Sequence, residues 1–145
     1  MSRLFACVVV LLMASMAWAR PLALTTDTRH ASLEGSLAHF ADSSDTLTFD
    51  TVRQRDFSGL SAFRSQGYDA AAHWYRFEIG RASGAPNLWI LEIGIPILDE
   101  VDVWVQQPEG GFHTYALGDH RPYASRPLHT RLFAVPVEVS SSTSV

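Results

Sequence analysis

The chain of 145 residues carries 11 basic and 15 acidic side chains, for a formal charge of −4 and a pI near 5.8. That balance excludes the broad basic face needed for nucleic-acid binding. Every basic residue is Arg, and the single cysteine, Cys7, lies too near the start to staple the rest. The length allows one domain.

Residues 1–19 read as a signal peptide. Arg3 is followed by an apolar run over 4–16, broken only by Ser15, and then by Ala17-Trp18-Ala19, with cleavage expected before Arg20. The run is shorter than the roughly 20 residues that span a bilayer. No later apolar stretch is long enough to cross one, so an exported domain in the periplasm is expected. It has no disulfide and relies on its core. A domain of this size buries roughly two thirds of the surface of its unfolded chain.

Residues 20–36 are mixed and polar and form a lead-in; the domain proper is expected over 37–145. A short strand is predicted over 37–42, a turn at Ser43-Ser44-Asp45, and a half-buried strand over 46–49, where apolar and polar residues alternate. Residues 51–64 have weak periodicity and suit a helical turn or a loop. The strongest signal begins at His73. In a strand over 74–79, Trp74, Arg76 and Glu78 share one face, and Tyr75, Phe77 and Ile79 share the core face.

After a turn-rich connection containing Gly84 and Pro86, residues 88–93 are apolar on both faces except for Glu92, as expected of a central strand covered on both sides. Val101, Val103 and Val105 line one face of the next strand, opposite Asp102 and Trp104. Pro108-Glu109-Gly110-Gly111 turns the chain into a return strand over 112–117, making a hairpin. A long polar loop over 118–131 follows. In the last strand, 132–139, Phe133, Val135, Val137 and Val139 point inward, and Pro136 requires an edge or a bulge. Six to eight short strands with frequent turns describe an all-β antiparallel sandwich.

Signatures of chemistry are sparse. The six His show no metal-ligand spacing. Asp99, Glu100 and Asp102 read as a solvated face more readily than as a calcium site, which needs six or more oxygens. No nucleophile elbow or glycine-rich phosphate loop is present, so no enzyme, metal or cofactor is expected. Two features stand out as ligand-binding candidates. Trp74 lies beside Arg76 outside the apolar set; it is either a platform for a sugar or other flat ligand, or a ring buried under a loop or a second sheet. Arg121, Arg126 and Arg131 flank Asp119, His120 and Tyr123; they either clamp an anionic ligand or pair with the domain's own acids.

The order of short motifs carries a family resemblance. His73-Trp74-Tyr75-Arg76-Phe77 precedes Trp89-Ile90-Leu91-Glu92-Ile93-Gly94 and Pro96-Ile97-Leu98-Asp99-Glu100-Val101-Asp102-Val103. Gly118-Asp119, Pro122-Tyr123, Arg126-Pro127 and Phe133-Ala134-Val135-Pro136 follow in turn. The series resembles the type 2 extracellular domain of bacterial seven-transmembrane receptors with diverse intracellular signalling modules, from about Leu37 to the end. Tyr75 stands where Leu is usual in that family, and His73 where Tyr is common.

The resemblance implies a jelly-roll-like β-sandwich similar to carbohydrate-binding modules, here ending before its last strand or strands. It also implies a non-catalytic periplasmic sensor for a small molecule, such as a carbohydrate. In the full receptor, seven membrane helices and a diguanylate cyclase, histidine kinase or phosphatase would follow. The ligand contacts expected on such a domain are Trp74, Arg76, Tyr123, Arg126 and Arg131, each of which can equally be a structural pair. Two other readings stay open: a free-standing exported carbohydrate-binding domain, and a module that contacts another protein or its own copy through an open sheet edge.

Overall fold

The computed structural model describes residues 19–60, 69–140 and 142–145, apart from the side chains of Ser142 and Ser144. The expected signal peptide, except Ala19, and part of the expected loop over 51–64 lie outside the described residues. The fold is nearly all-β. Its strands are β1 (Leu22–Leu24), β2 (Ala38–Asp42), β3 (Ser58–Gly59), β4 (Ala72–Arg76), β5 (Glu78–Arg81), β6 (Leu88–Ile93), β7 (Val101–Gln106), β8 (Phe112–Leu117), β9 (Phe133–Glu138) and β10 (Ser142–Ser144). Among the described residues, one short helix, α1 (Phe49–Val52), and a 3-10 turn (Tyr123–Ser125) interrupt them. The sheets are β1-β5-β10, β3-β2-β4, β6-β9 and β7-β8. Every pair is antiparallel except β1 with β5.

The core gathers the inward faces of five strands: Leu24 from β1, Ile79 from β5, Val103 and Val105 from β7, Leu117 from β8, and Phe133, Val135 and Val137 from β9. Phe77 and Val139 complete it. The alternation expected at 133–139 is therefore borne out. Residues 20–36 contribute β1 to this core, with Leu24 only 2% exposed. Arg81 ties the far end, donating from Nε to the Val139 carbonyl at 2.6 Å and from Nη1 to Ala85 at 3.0 Å.

Pro136 sits where its missing donor does no harm. Its carbonyl accepts from the Tyr115 hydroxyl at 3.3 Å. The carbonyl and nitrogen of one strand residue point to the same side, so Pro136 turns both away from β6, and the β6-β9 ladder loses nothing.

Three expectations are corrected. Residues 46–49 are not a strand. The Asp42 carboxylate, only 4% exposed, accepts from the Ser44 amide (3.0 Å) and hydroxyl (2.6 Å), the Thr46 amide (3.1 Å) and the Leu47 amide (2.9 Å). These bonds curl the segment into a capped turn that runs into α1. The strand expected over 74–79 is two strands that belong to different sheets. Phe77 separates them, exchanging backbone hydrogen bonds with Val145 at 3.0 Å in both directions. Tyr75 consequently leaves the core and lies beside His39. Finally, β6 is not covered on both sides. Leu88 and Ile90 are each 63% exposed, and only Trp89, Leu91 and Ile93 face inward.

The Asp42 cap carries a pH signature. Hydrogen bonds, led by that from Ser44, hold its carboxyl below the ordinary value of 3.8. A carboxylate with a depressed folded pKa gives stability that is complete above 3.8 and is lost as pH falls through the folded value. We expect urea midpoints to drop below pH 4 in the native chain and the Asp42-dependent part of that drop to vanish in Asp42→Asn. Parallel acid limbs in both proteins would remove the cap from the stability account.

Candidate functional site

Pairing of β2 with β4 sets which side chains share a surface. Ala38 lies opposite Arg76 and Phe40 opposite Trp74, so Trp74 and Arg76 occupy one face of this sheet. Trp104 projects from β7 away from the core and meets that face. Its ring lies 5.4 Å from Trp74 at 26° and 4.8 Å from Phe49 at 5°, and Phe112 packs edge-on against Phe49 at 4.8 Å. A second, aromatic layer thus covers the outer side of the β7-β8 hairpin. Trp74 is half-buried within it, and its indole Nε1 is buried without an acceptor among the described residues.

Arg76 continues this surface into a cleft of about 860 Å³ bordered by Arg53, Gln54, Phe57, Glu78 and Phe112. Its guanidinium lies 4.4 Å from the centre of the Phe57 ring and donates to the Arg53 carbonyl at 3.4 Å. Arg53 faces its own acid, Asp50, at 3.3 Å. Among the described residues, no carboxylate comes within ion-pair distance of Arg76. A half-buried cation on an aromatic ring, with no ion-pair partner among the described residues, suits the polar end of a flat ligand.

The remaining three candidates form a separate group in the loop after β8. The Arg126 guanidinium lies between two rings, 5.0 Å from Tyr123 and 4.7 Å from Phe133, with its Nε buried and without a hydrogen-bond partner among the described residues. Tyr123 is 52% exposed and lies 5.2 Å from His129. Arg131 is exposed. No hydrogen bond, ion pair or ring contact among the described residues joins this group to Trp74 or Arg76. Arg121 serves the domain's own acids: it binds Asp102 at 2.6 Å and Glu100 at 3.3 Å, and reaches the Leu117 carbonyl at 2.8 Å. The hydrogen bond it donates to Asp102 raises its pKa. One guanidinium thereby offsets part of the acidic run around residue 100, at Glu100 and Asp102.

A family model described as 7TMR-DISM extracellular 2 matches residues 34–145. The chain belongs to that family. No curated protein and no solved structure matches it. The match spans both candidate groups, which are therefore parts of one 7TMR-DISM extracellular domain, a type of sensor domain found on membrane receptors. No helix among the described residues is long and apolar enough to cross a membrane.

On the reverse face of β4 this domain carries a pair that sequence reasoning missed. His39 lies opposite Tyr75, and its Nε2 meets Nδ1 of His73 at 3.0 Å. The ring centroids are 5.3 Å apart at 16°, close to the N···N distance plus two ring radii. The imidazoles therefore meet nearly edge to edge, sharing one proton in an N–H···N bond. Asp69 Oδ2 lies 3.5 Å from the other nitrogen of His73. Burial, and then the neighbouring His73, lower the pKa of His39. The two His are 34 positions apart, and only strand register brings them together. Among the described residues no group of three or more His, Cys, Asp or Glu is placed to hold a metal.

Proposed function

We propose that this chain is the non-catalytic periplasmic ligand-sensing domain of a seven-transmembrane receptor. In this reading a small polar ligand, such as a carbohydrate, seats in the cleft beside Arg76. Family membership supports the receptor assignment. The observation that carries the site is the Arg76 guanidinium, which lies over the Phe57 ring at the border of the cleft and has no ion-pair partner among the described residues. Trp74 stands on the same face, stacked against Trp104, as a further proposed contact. Tyr123, Arg126 and Arg131 form a second proposed contact region. Of these, Tyr123 and Arg131 offer the accessible ring and charge. Binding acts by differential affinity: a ligand that prefers one arrangement of cleft and sheet shifts the population toward it. The membrane helices then pass that shift to a cytoplasmic output enzyme.

A thermal-shift screen against sugars, organic acids and nucleosides tests both regions. We expect a hit to raise the melting temperature of the native chain and to have its effect largely abolished by Arg76→Ala. A shift lost in Tyr123→Ala or Arg131→Ala instead moves the site to the loop. A shift retained in all three variants removes both. The receptor assignment has its own check. Seven apolar spans encoded downstream of Val145 support it, whereas an immediate stop assigns the domain to the free-standing class.

A further inference from the structure

The outer edge of β6 is built to accept another strand. Residues alternate along an antiparallel pair between those that exchange hydrogen bonds and those that turn both backbone groups away. The Val139 amide donates to the Asn87 carbonyl at 2.7 Å, which places 87, 89, 91 and 93 on the bonded side. The outward carbonyl of Pro136, opposite Ile90, fixes the same parity independently. Leu88, Ile90 and Glu92 therefore direct their amides and carbonyls away from β9, and no backbone partner meets them among the described residues. Their side chains also stand outward, with Leu88 and Ile90 each 63% exposed.

Edge strands are usually protected by Pro, Lys, a bulge or a covering element. β6 contains neither Pro nor Lys, and its pairing with β9 runs without a bulge from Leu88 to Ile93. The edge offers three residues' worth of hydrogen bonds in strand geometry, bordered by apolar side chains. Extended backbone is the partner that such an edge recognises.

We propose that this edge pairs with the same edge of a second copy of the chain, antiparallel and centred on Ile90. Ile90 is the midpoint of the outward set 88, 90 and 92, so a two-fold axis there uses the whole edge. That register places Ile90 opposite its twin, and Leu88 opposite Glu92 of the other copy, so all three outward residues on each side find hydrogen-bonding partners. The charge pattern selects it as well. Centring the pair on Glu92 would set two carboxylates directly opposite each other, which is destabilising, whereas centring it on Ile90 separates them to opposite ends. The dimer is isologous and closes on itself, leaving no second open β6 edge to propagate a fibre.

Sedimentation of the chain over a wide concentration range is the first test, with a monomer–dimer equilibrium expected. Ile90→Pro is the discriminating variant. Its ring removes only the outward amide and spares the ladder to β9, so we expect monomer at every concentration with an unchanged circular dichroism spectrum. The register has a separate readout in a Cys7→Ser background. Residues facing each other as a bonded pair lie about 5.5 Å apart at Cα, inside the range of about 4.4–6.8 Å that a disulfide spans. Ile90→Cys should therefore crosslink two copies under mild oxidation, and Leu88→Cys should not. A native chain that stays monomeric overturns the proposal and leaves the edge to a different strand. A dimer that survives Ile90→Pro, or crosslinks equally at 88 and 90, overturns it too.

Discussion

Phe133→Ala lowers the stability of this domain by about 3–5 kcal/mol, the range for truncating a buried aromatic. The ring is fully enclosed at the start of β9, among Val135, Val137 and Leu117 of the same cluster. Its loss removes apolar contact area and leaves a cavity between layers that cannot collapse independently. It also strips one of the two rings that hold the Arg126 guanidinium. With domain stabilities of about 5–15 kcal/mol, this single change consumes a large share of the total. The control is Tyr123→Ala, which removes the other, half-exposed ring. An exposed cation–π contact is worth about 0.5–1 kcal/mol, so its urea midpoint should move little. Equal losses from the two variants would show that Phe133 contributes as a stacking partner rather than as core.

Gly118→Ala is expected to cost about 2–6 kcal/mol through two causes of similar size. The residue has φ +134°, where an L side chain is strained by about 1–3 kcal/mol. A Cβ there would also strike the Asp99 carbonyl, lying 2.8 Å from its carbon and from the Glu100 Cα. Overpacking of that kind costs about a further 1–3 kcal/mol. The backbone cannot retreat easily, because the next amides are bound on the same side: Asp119 to the Leu98 carbonyl at 2.8 Å and His120 to Asp99 at 3.1 Å. Asn offers no rescue, since its tolerated left-handed region lies near φ +57°. Chemical denaturation of Gly118→Ala and Gly118→Asn should therefore give similar, large losses. A mild effect of either would mean that the 98–100 segment yields.

What could be read from residue order depended on whether the deciding interaction is local. The alternation at 133–139 and the turn at 108–111 between two alternating runs each determine their own geometry, so β9 and the β7-β8 hairpin were legible. Alternation over 46–49 was misleading because one carboxylate, at Asp42, captures the amides that a strand would have offered to a neighbour. The change of sheet at Phe77 left no mark on periodicity, since a strand that exchanges partners continues to alternate. Apolar composition alone could not tell that Leu88 and Ile90 face solvent, because that depends on whether another layer arrives. The site shows the same division. Trp74 and Arg76 were placed on one face correctly, but the rings around them come from residues 49, 57, 104 and 112, far apart in sequence. The pairing of His39 with His73 depends wholly on register. Gly118-Asp119, at first only part of a motif series, acquires a physical reason from its close approach to Asp99.

The exchange of hydrogen bonds between Phe77 and Val145 has a mechanical consequence. Phe77 joins β5 of the core sheet to β4, the strand that carries Arg76, and β10 runs antiparallel to β5 beside it. A force directed along β10 loads these bonds in shear, so they resist together instead of opening one at a time. Displacement of Val145 therefore arrives at the peptide adjoining Arg76 with little slack. The border of the cleft and the last described residue behave as two ends of one short lever.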